Sequence, residues 1–216
     1  TKEYSARNIL IATGSRPREI PGFEFDEDLV LSSTGLLMLE KLPKKLVVLG
    51  AGAIGMEFAH VMNSFGVEVT VVEMLDRVLP IEDPDAVAVL SADFKKRGIR
   101  MLTSTKATSL QKGKNGVKVS VSGPEGDETL EADKLLVAVG RQPNSENLGL
   151  EELGIRTTRG FIETGDYYQT DIGGIYAIGD VIQTPLLAHL ASKEGEIAVE
   201  HMTGHHAPRR VHPDEV

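Results

Sequence analysis

The run Gly50-Ala51-Gly52-Ala53-Ile54-Gly55 spaces three glycines as a backbone cradle for phosphate requires. Each glycine has its own steric task. Gly50 permits a tight turn, Gly52 lets the backbone approach a pyrophosphate, and Gly55 lets a helix lie close on a sheet. The N–H groups that open that helix, and the positive end of its dipole, would hold the phosphates without a side-chain cation. Glu73 follows about 20 residues on, where a carboxylate accepts hydrogen bonds from ribose hydroxyls. The same carboxylate repels the 2′-phosphate of NADP, so the pattern predicts NAD(H) in preference to NADP(H). Two other readings stand beside it: Glu73 as a plain strand-end charge, and Arg77 as a partner for a 2′-phosphate.

This chemistry needs a strand before the turn, a helix after it and a second strand ending at Glu73. Leu46 to Leu49 is a short apolar run of the first kind. Ile54, Phe58, Val61, Met62 and Phe65 recur at helical spacing and predict the inward face of the helix, with Gly66 as its stop. Glu57 is expected on the inward side of the first turn, where an acid complements the dipole. Val67 to Val72 then completes a unit of the roughly 30 residues that a strand-helix-strand crossover takes.

Pro84-Asp85 opens a further helix that runs to about Arg97 and stops at Gly98, with Val87, Leu90 and Phe94 inward. Between Lys106 and Leu136 the period changes. Val117, Val119 and Val121 alternate with Lys118, Ser120 and Ser122, and Gly123-Pro124-Glu125-Gly126 supplies a turn, which predicts an inserted antiparallel meander. Leu135 to Val139 is again a buried strand. Asn8 to Ala12 is a short strand running into Thr13-Gly14-Ser15, Gly174 to Asp180 a short strand ending in an acid, and Leu186 to Met202 a final helix. His205-His206-Ala207-Pro208-Arg209-Arg210 reads as a solvated linker, and no metal site is expected. The fold predicted is α/β: a Rossmann-like three-layer NAD-binding domain with an inserted β-meander.

A net charge of -9 over 216 residues opposes binding to a polyphosphate backbone, and no cluster of Lys and Arg with aromatics offsets it, so nucleic acid is not an expected partner. The apolar runs fall far short of the roughly 20 residues that span a bilayer, so no membrane segment is expected. The opening Thr1-Lys2-Glu3-Tyr4 lacks the pattern of a secretory signal, which places the expected setting in the cytoplasm. The sequence holds no cysteine, which excludes disulfides, thiolate zinc and thiol catalysis within these 216 residues.

Four motifs occur together in order: Ala12-Thr13-Gly14; the glycine turn with Ile54-Gly55-Met56-Glu57; Val139-Gly140-Arg141-Gln142-Pro143-Asn144; and Tyr176-Ala177-Ile178-Gly179-Asp180. In this the chain resembles the flavoprotein pyridine nucleotide-disulfide oxidoreductases. The segment from Leu187-Ala188-His189 to Glu194-Gly195 is most similar to their dihydrolipoamide dehydrogenase branch. The resemblance implies an FAD-binding domain of the same α/β type, interrupted by the NAD domain. Residues 1–20 and 147–216 would be remnants of the FAD domain with a linker, and 21–146 the NAD domain.

The resemblance also implies the roles of single residues. For NAD these are Gly50, Gly52, Ala53, Ile54 and Gly55 at the pyrophosphate, Glu57 on the nicotinamide carboxamide, Glu73 on the ribose, Ala107 on the adenine side, and Gly140 towards the nicotinamide half, with Arg141 grouped among the NAD residues. For FAD they are Thr13, Gly14 and Ser15 at its border, Gly179 and Asp180 at the ribityl chain, and Leu186, Leu187, Ala188 and His189 over the isoalloxazine. His189 would act through its backbone, and Asp180 also has a plainer reading as the cap of a nearby turn.

The family pattern further includes a second glycine turn, a Cys-x-x-x-x-Cys pair and an interface domain with a His-Glu pair, none of which occurs in this sequence. The chain therefore reads as an internal fragment that ends near Val211-His212-Pro213-Asp214-Glu215, with no catalytic residue of its own. NAD binding is expected to survive, FAD binding to be weak or lost, and lipoamide activity to be absent. The intact parent would dimerise through a domain absent here and oxidise dihydrolipoamide carried on an acyltransferase complex. A fragment of a cysteine-independent NADH-flavin reductase and a non-enzymatic NAD(H)-binding module are the alternatives.

Overall fold

Strands that are apolar on both faces must be covered on both faces, and the runs around Leu46, Val69 and Leu135 are of this kind. The computed structural model describes residues 2–211; Thr1 and the expected end point beyond Val211 lie outside the described residues. Along the chain come β1 (Ile9–Ile11), β2 (Ser15–Pro17), β3 (Val30–Leu31), α1 (Ser33–Leu37), β4 (Lys45–Leu49), α2 (Ala53–Ser64), β5 (Glu68–Val72), α3 (Pro84–Lys96) and β6 (Arg100–Leu102). They are followed by β7 (Lys106–Lys112), β8 (Val117–Gly123), β9 (Gly126–Ala132), β10 (Lys134–Val137), β11 (Arg141–Pro143), β12 (Thr157–Thr158), β13 (Phe161–Ile162), β14 (Ile175–Ala177) and α4 (Ala188–Met202).

The chain divides into two compact units: 17–140, and the described parts of 1–16 with 141–216. These divisions fall a few residues from the expected 20/21 and 146/147, because Arg141 and Asn144 bond to Ser15 and Thr13.

In unit 17–140 a five-stranded parallel sheet has the order β3-β10-β4-β5-β6. Alternate residues point to opposite faces, and both faces are covered. Leu46, Val48, Val69, Val71 and Leu136 pack with Met56, Ala59 and Met62 of α2 and with Val87 and Phe94 of α3. Val47, Leu49, Val72, Leu135 and Val137 pack with Val117, Val119, Val121, Leu130 and Ala132 of the antiparallel sheet β7-β8-β9. Helices, parallel sheet and meander thus form the three layers expected. Asp83 caps α3 by accepting from the N–H groups of Asp85 and Ala86, and Gly98 follows its end at φ +83. The five-residue helix α1 was not anticipated, although the Ser32 side chain that accepts from the Gly35 N–H is a readable start signal.

The other unit contains the parallel pair β1-β14, the pairs β11-β2 and β12-β13, and helix α4. Its core includes Leu150, Ile162, Tyr168, Ala177, Val181 and Ile197. Among the described residues no helix is long and apolar enough to cross a membrane.

Candidate functional site

The parallel sheet reverses its strand order beside β4. Chain from β4 proceeds through α2 and α3 to β5 and β6 on one side, then returns by the meander to β10 on the other. Such a switch point leaves a crevice at the carboxyl ends of the two central strands, where open α/β sheets bind ligands. Here those ends are the glycine turn after β4 and Ala138 after β10, joined by Ala138 N–H donating to the Leu49 carbonyl at 2.8 Å.

The three glycines of the turn meet different surroundings. Gly50 has φ +97, and a Cβ on it would lie 2.4 Å from the Ala138 carbonyl oxygen. A Cβ on Gly55 would lie 2.0 Å from the Gly50 carbonyl oxygen, so α2 can approach the turn only with glycine there. A Cβ on Gly52 would meet nothing within 4 Å. Gly52 is the N-cap of α2 and no side chain caps that end, so the N–H groups of Ala53 and Ile54 open the helix beside free space. This is the shape a pyrophosphate needs: two positions closed against protein and one open to ligand.

Glu73 stands at the rim of this crevice. Its carboxylate accepts the Ala51 N–H at 2.7 Å and the Leu75 N–H at 2.9 Å. Both bonds draw the carboxylate beside the glycine turn, and acceptor capacity on its two oxygens remains for ribose hydroxyls. Arg77, the residue that could have served a 2′-phosphate, donates to the Pro80 carbonyl within its own loop. Ala107 is half-buried in β7 next to an irregularity in its pairing with β8. Gly140 is exposed at φ +112, and its carbonyl accepts the Arg18 N–H.

Two expectations about α2 are corrected. Its buried face is Gly55, Met56, Ala59 and Met62, while Val61 and Phe65 are 41% and 66% exposed. The contact of Gly55 with Gly50 sets the rotation of the helix and turns Met56, Ala59 and Met62 inward. Glu57 is consequently exposed, not inward.

Arg141, expected with the NAD residues, makes its hydrogen bonds to Ser15. It belongs to the other unit, where its Nε donates to Ser15 Oγ at 2.6 Å and its guanidinium to the Ser15 carbonyl at 2.8 Å. Ser15 Oγ in turn donates to Asp180 at 2.7 Å, and Arg141 lies 3.5 Å from the same carboxylate. The half-buried Asp180 is thus held by a serine and an arginine from distant parts of the chain, with carboxylate lone pairs left for ligand hydroxyls. Thr13 donates from Oγ1 to the Asn144 carbonyl at 2.6 Å, and the Asn144 side chain donates back to the Thr13 carbonyl at 2.9 Å. The Asn144 N–H donates to the carbonyl of Gly14, which has φ +69. Leu186, Leu187, Ala188 and His189 are all exposed around the start of α4.

One buried acid in this unit was not singled out in the sequence. Glu194 lies on the inward stripe of α4 with Leu190, Ile197 and Ala198 and accepts the Gly179 N–H at 2.7 Å. An acid on an apolar helix face is the signal that could have found it. Burial raises its pKa from the ordinary carboxylate value, with Asp180 adding to the rise; the Gly179 N–H, the Thr184 hydroxyl and Arg210 oppose it. Among the described residues no group of three or more His, Cys, Asp or Glu could hold a metal ion.

A switch-point crevice, a glycine turn closed at Gly50 and Gly55 but open at Gly52, and a strand-end acid define a dinucleotide-binding α/β protein. Comparison with known proteins narrows the class: the pyridine nucleotide-disulphide oxidoreductase family profile matches residues 1–195, and the chain belongs to that family. Membership implies NAD and FAD as the cofactors. The chain is 45% identical over 202 residues to a dihydrolipoyl dehydrogenase of Rhizobium etli, covering 93% of this chain and 42% of that protein. It is 45% identical over 209 residues to the mitochondrial dihydrolipoyl dehydrogenase of Bos taurus, covering 94% and 41%. Among solved structures, LpdA from Mycobacterium tuberculosis superposes with a TM-score of 0.86 at 37% identity, over 94% of this chain and 44% of that one. The HOCl-induced flavoprotein disulfide reductase RclA from Escherichia coli does so at 0.83 and 29%, over 94% and 46%. The chain therefore spans less than half the length of these relatives.

Proposed function

We propose that residues 17–140 bind NAD(H) in preference to NADP(H), and that the remaining residues supply part of a flavin site in an enzyme of the dihydrolipoamide dehydrogenase type. The observation that carries the first half is the contrast between Gly52, open for 4 Å, and Gly50 and Gly55, both closed by backbone. In this reading the N–H groups at the start of α2 bind the pyrophosphate and Glu73 takes the adenine ribose. Ala53 and Ile54 border the phosphates, Ala107 the adenine and Gly140 the nicotinamide half. Exposed Glu57 is free to reach the nicotinamide carboxamide.

For FAD, Asp180 takes the ribityl hydroxyls from a carboxylate oriented by Ser15 and Arg141. Thr13 and Gly14, fixed by Asn144, border the flavin, and Leu186 to His189 cover it. Bound flavin supplies the relay of reducing equivalents between dihydrolipoamide and NAD. The sequence holds no cysteine, so this chain by itself does not turn over lipoamide; it binds NAD(H) and, without a second glycine turn in the sequence, holds FAD weakly. Dihydrolipoamide on an acyltransferase complex, a homodimeric whole enzyme and a cytoplasmic setting complete the proposal.

Titration of the chain with NADH and with NADPH, followed by nicotinamide fluorescence, tests the central claim. NADH should bind at least about tenfold more tightly, which corresponds to roughly 1.4 kcal/mol. Equal affinities, or tighter binding of NADPH, would remove Glu73 from the ribose.

A further inference from the structure

Glu194 is fully buried, and burial of a carboxyl group on an apolar helix face costs free energy that a leucine or methionine there would not. Its two oxygens differ. Oε2 accepts the Gly179 N–H at 2.7 Å, whereas Oε1 is buried with no partner within hydrogen-bond distance among the described residues. The group is therefore incompletely satisfied, and its 2.7 Å hydrogen bond goes to the backbone immediately before Asp180, with the Thr184 hydroxyl and Arg210 acting on it besides.

Gly179 adopts φ +70, a left-handed conformation that opens the tight turn Gly179–Val181. The backbone just before it is tied to β1 by the Ile178 N–H donating to the Ile11 carbonyl at 3.0 Å. Helix α4 comes very close at this point. A Cβ on Gly179 would lie 3.3 Å from the Ala191 Cβ, and one on Gly195 would lie 3.3 Å from the Ile178 Cδ1. A buried acceptor on α4 thus reaches the turn directly. On the other side, Ser15 Oγ holds the Asp180 carboxylate at 2.7 Å. The turn is gripped twice, by its backbone at Glu194 and by its side chain at Ser15.

We propose that Glu194 is a positioning residue that ties the Gly179–Asp180 turn to α4 and so sets the Asp180 carboxylate for the flavin ribityl hydroxyls. The proposal rests on the flavin reading given above. It makes no claim that Glu194 touches the flavin.

The test uses the full 216-residue chain and its variants E194Q, E194M and E194L. Glutamine keeps an acceptor oxygen for the Gly179 N–H; methionine and leucine fill the space in two different shapes and remove it. Three quantities are read: exchange of the Gly179 amide proton by NMR, FAD affinity by flavin fluorescence, and the melting midpoint. In whichever apolar variant melts at or above the wild type, Gly179 exchange should accelerate, and FAD affinity fall, each about tenfold, as expected for loss of one hydrogen bond to a carboxyl group. E194Q should retain both within about threefold. Wild-type exchange and FAD affinity in a folded apolar variant would overturn the proposal, as would an E194Q that behaves like them. If Gly179 responds as expected but the wild-type chain takes up no FAD, the flavin reading fails while the tether stands.

Discussion

Substituting Gly52 and Gly55 separately by alanine should divide ligand binding from folding within a single turn. At Gly52 the backbone has φ -73 and ψ -178, which alanine adopts freely, and the added methyl meets no protein atom within 4 Å. The change should therefore move stability by less than about 0.5 kcal/mol. In the proposed binding mode the methyl would occupy the path of the pyrophosphate, and a carbon needs roughly 3.5 Å where an N–H to phosphate contact needs about 2.9 Å. Losing one hydrogen bond to a charged group costs roughly 1.5–3 kcal/mol, so the NADH dissociation constant should rise roughly 10- to 100-fold. At Gly55 the same methyl would lie 2.0 Å from the Gly50 carbonyl oxygen, against the 3.0 Å below which real contacts are essentially never seen. Helix α2 must then retreat by at least 3.0 minus 2.0, or 1.0 Å. Overpacking of this kind costs roughly 1–3 kcal/mol and should lower the melting midpoint by roughly 2–12 °C. Thermal melts and NADH titrations of the two variants provide the measurements. A Gly52→Ala chain that binds NADH within about twofold of wild type, or a Gly55→Ala chain that melts unchanged, would refute the reasoning.

Glu73→Ala should weaken NADH and strengthen NADPH binding, narrowing their ratio by roughly tenfold or more, because it removes both a ribose acceptor and a charge facing the 2′-phosphate; an unchanged ratio in paired titrations would place selectivity elsewhere. Asp26 accepts from the backbone N–H groups of Asp28, Leu29 and Val30 and from Lys112. Although burial alone would raise it, Lys112 and those N–H groups hold its pKa well below the ordinary 3.8, so its stabilising contribution is present above that value and lost as pH falls. Asp26→Asn should consequently melt below wild type at pH 7, with a gap that stays constant down to about pH 4 and begins to narrow only as pH falls below 3.8; a gap that narrows between pH 7 and pH 5, or not at all below 3.8, would disprove the assignment. Glu194 has the opposite sign: burial raises its pKa above 4.5, so its contribution is present below that pH and is lost as pH rises through its folded value. On going from pH 7 to about pH 4.5, wild type should gain midpoint relative to E194Q; parallel melting curves would contradict a raised pKa.

Local periodicity and steric rules account for much that was legible in the residues. The alternation of Val117, Val119 and Val121 is a repeat of two along one strand, and these side chains line one face of β8 as expected. The start of α3 at Pro84 and its end before Gly98 follow from caps that act within one turn of the helix. The glycine turn could be placed from its spacing, and Gly55 answers a constraint set within the turn by the Gly50 carbonyl, whereas the close approach at Gly50 comes from Ala138, just after a strand that joins only on folding.

Other features depended on chain segments that meet only after folding. Hydrophobic spacing selected Ile54, Phe58, Val61, Met62 and Phe65 as the inner face of α2; Met62 is buried and Phe58 packs against the core, but Gly55 against the Gly50 carbonyl turns Val61, Phe65 and Glu57 outward and buries Ala59. The bonds from Arg141 to Ser15 and from Ser15 to Asp180 join residues 126 and 165 positions apart. Nothing in the local sequence encodes those partners, since β1 meets β14, and β2 meets β11, only because the chain leaves through one compact unit and returns. The glycine turn was thus legible from its spacing and from the Gly55 contact within it, although its closure at Gly50 also needs Ala138 after β10. The setting of Asp180 and the burial of Glu194 were decided by tertiary packing, because they depend on surfaces that approach one another only in the folded chain.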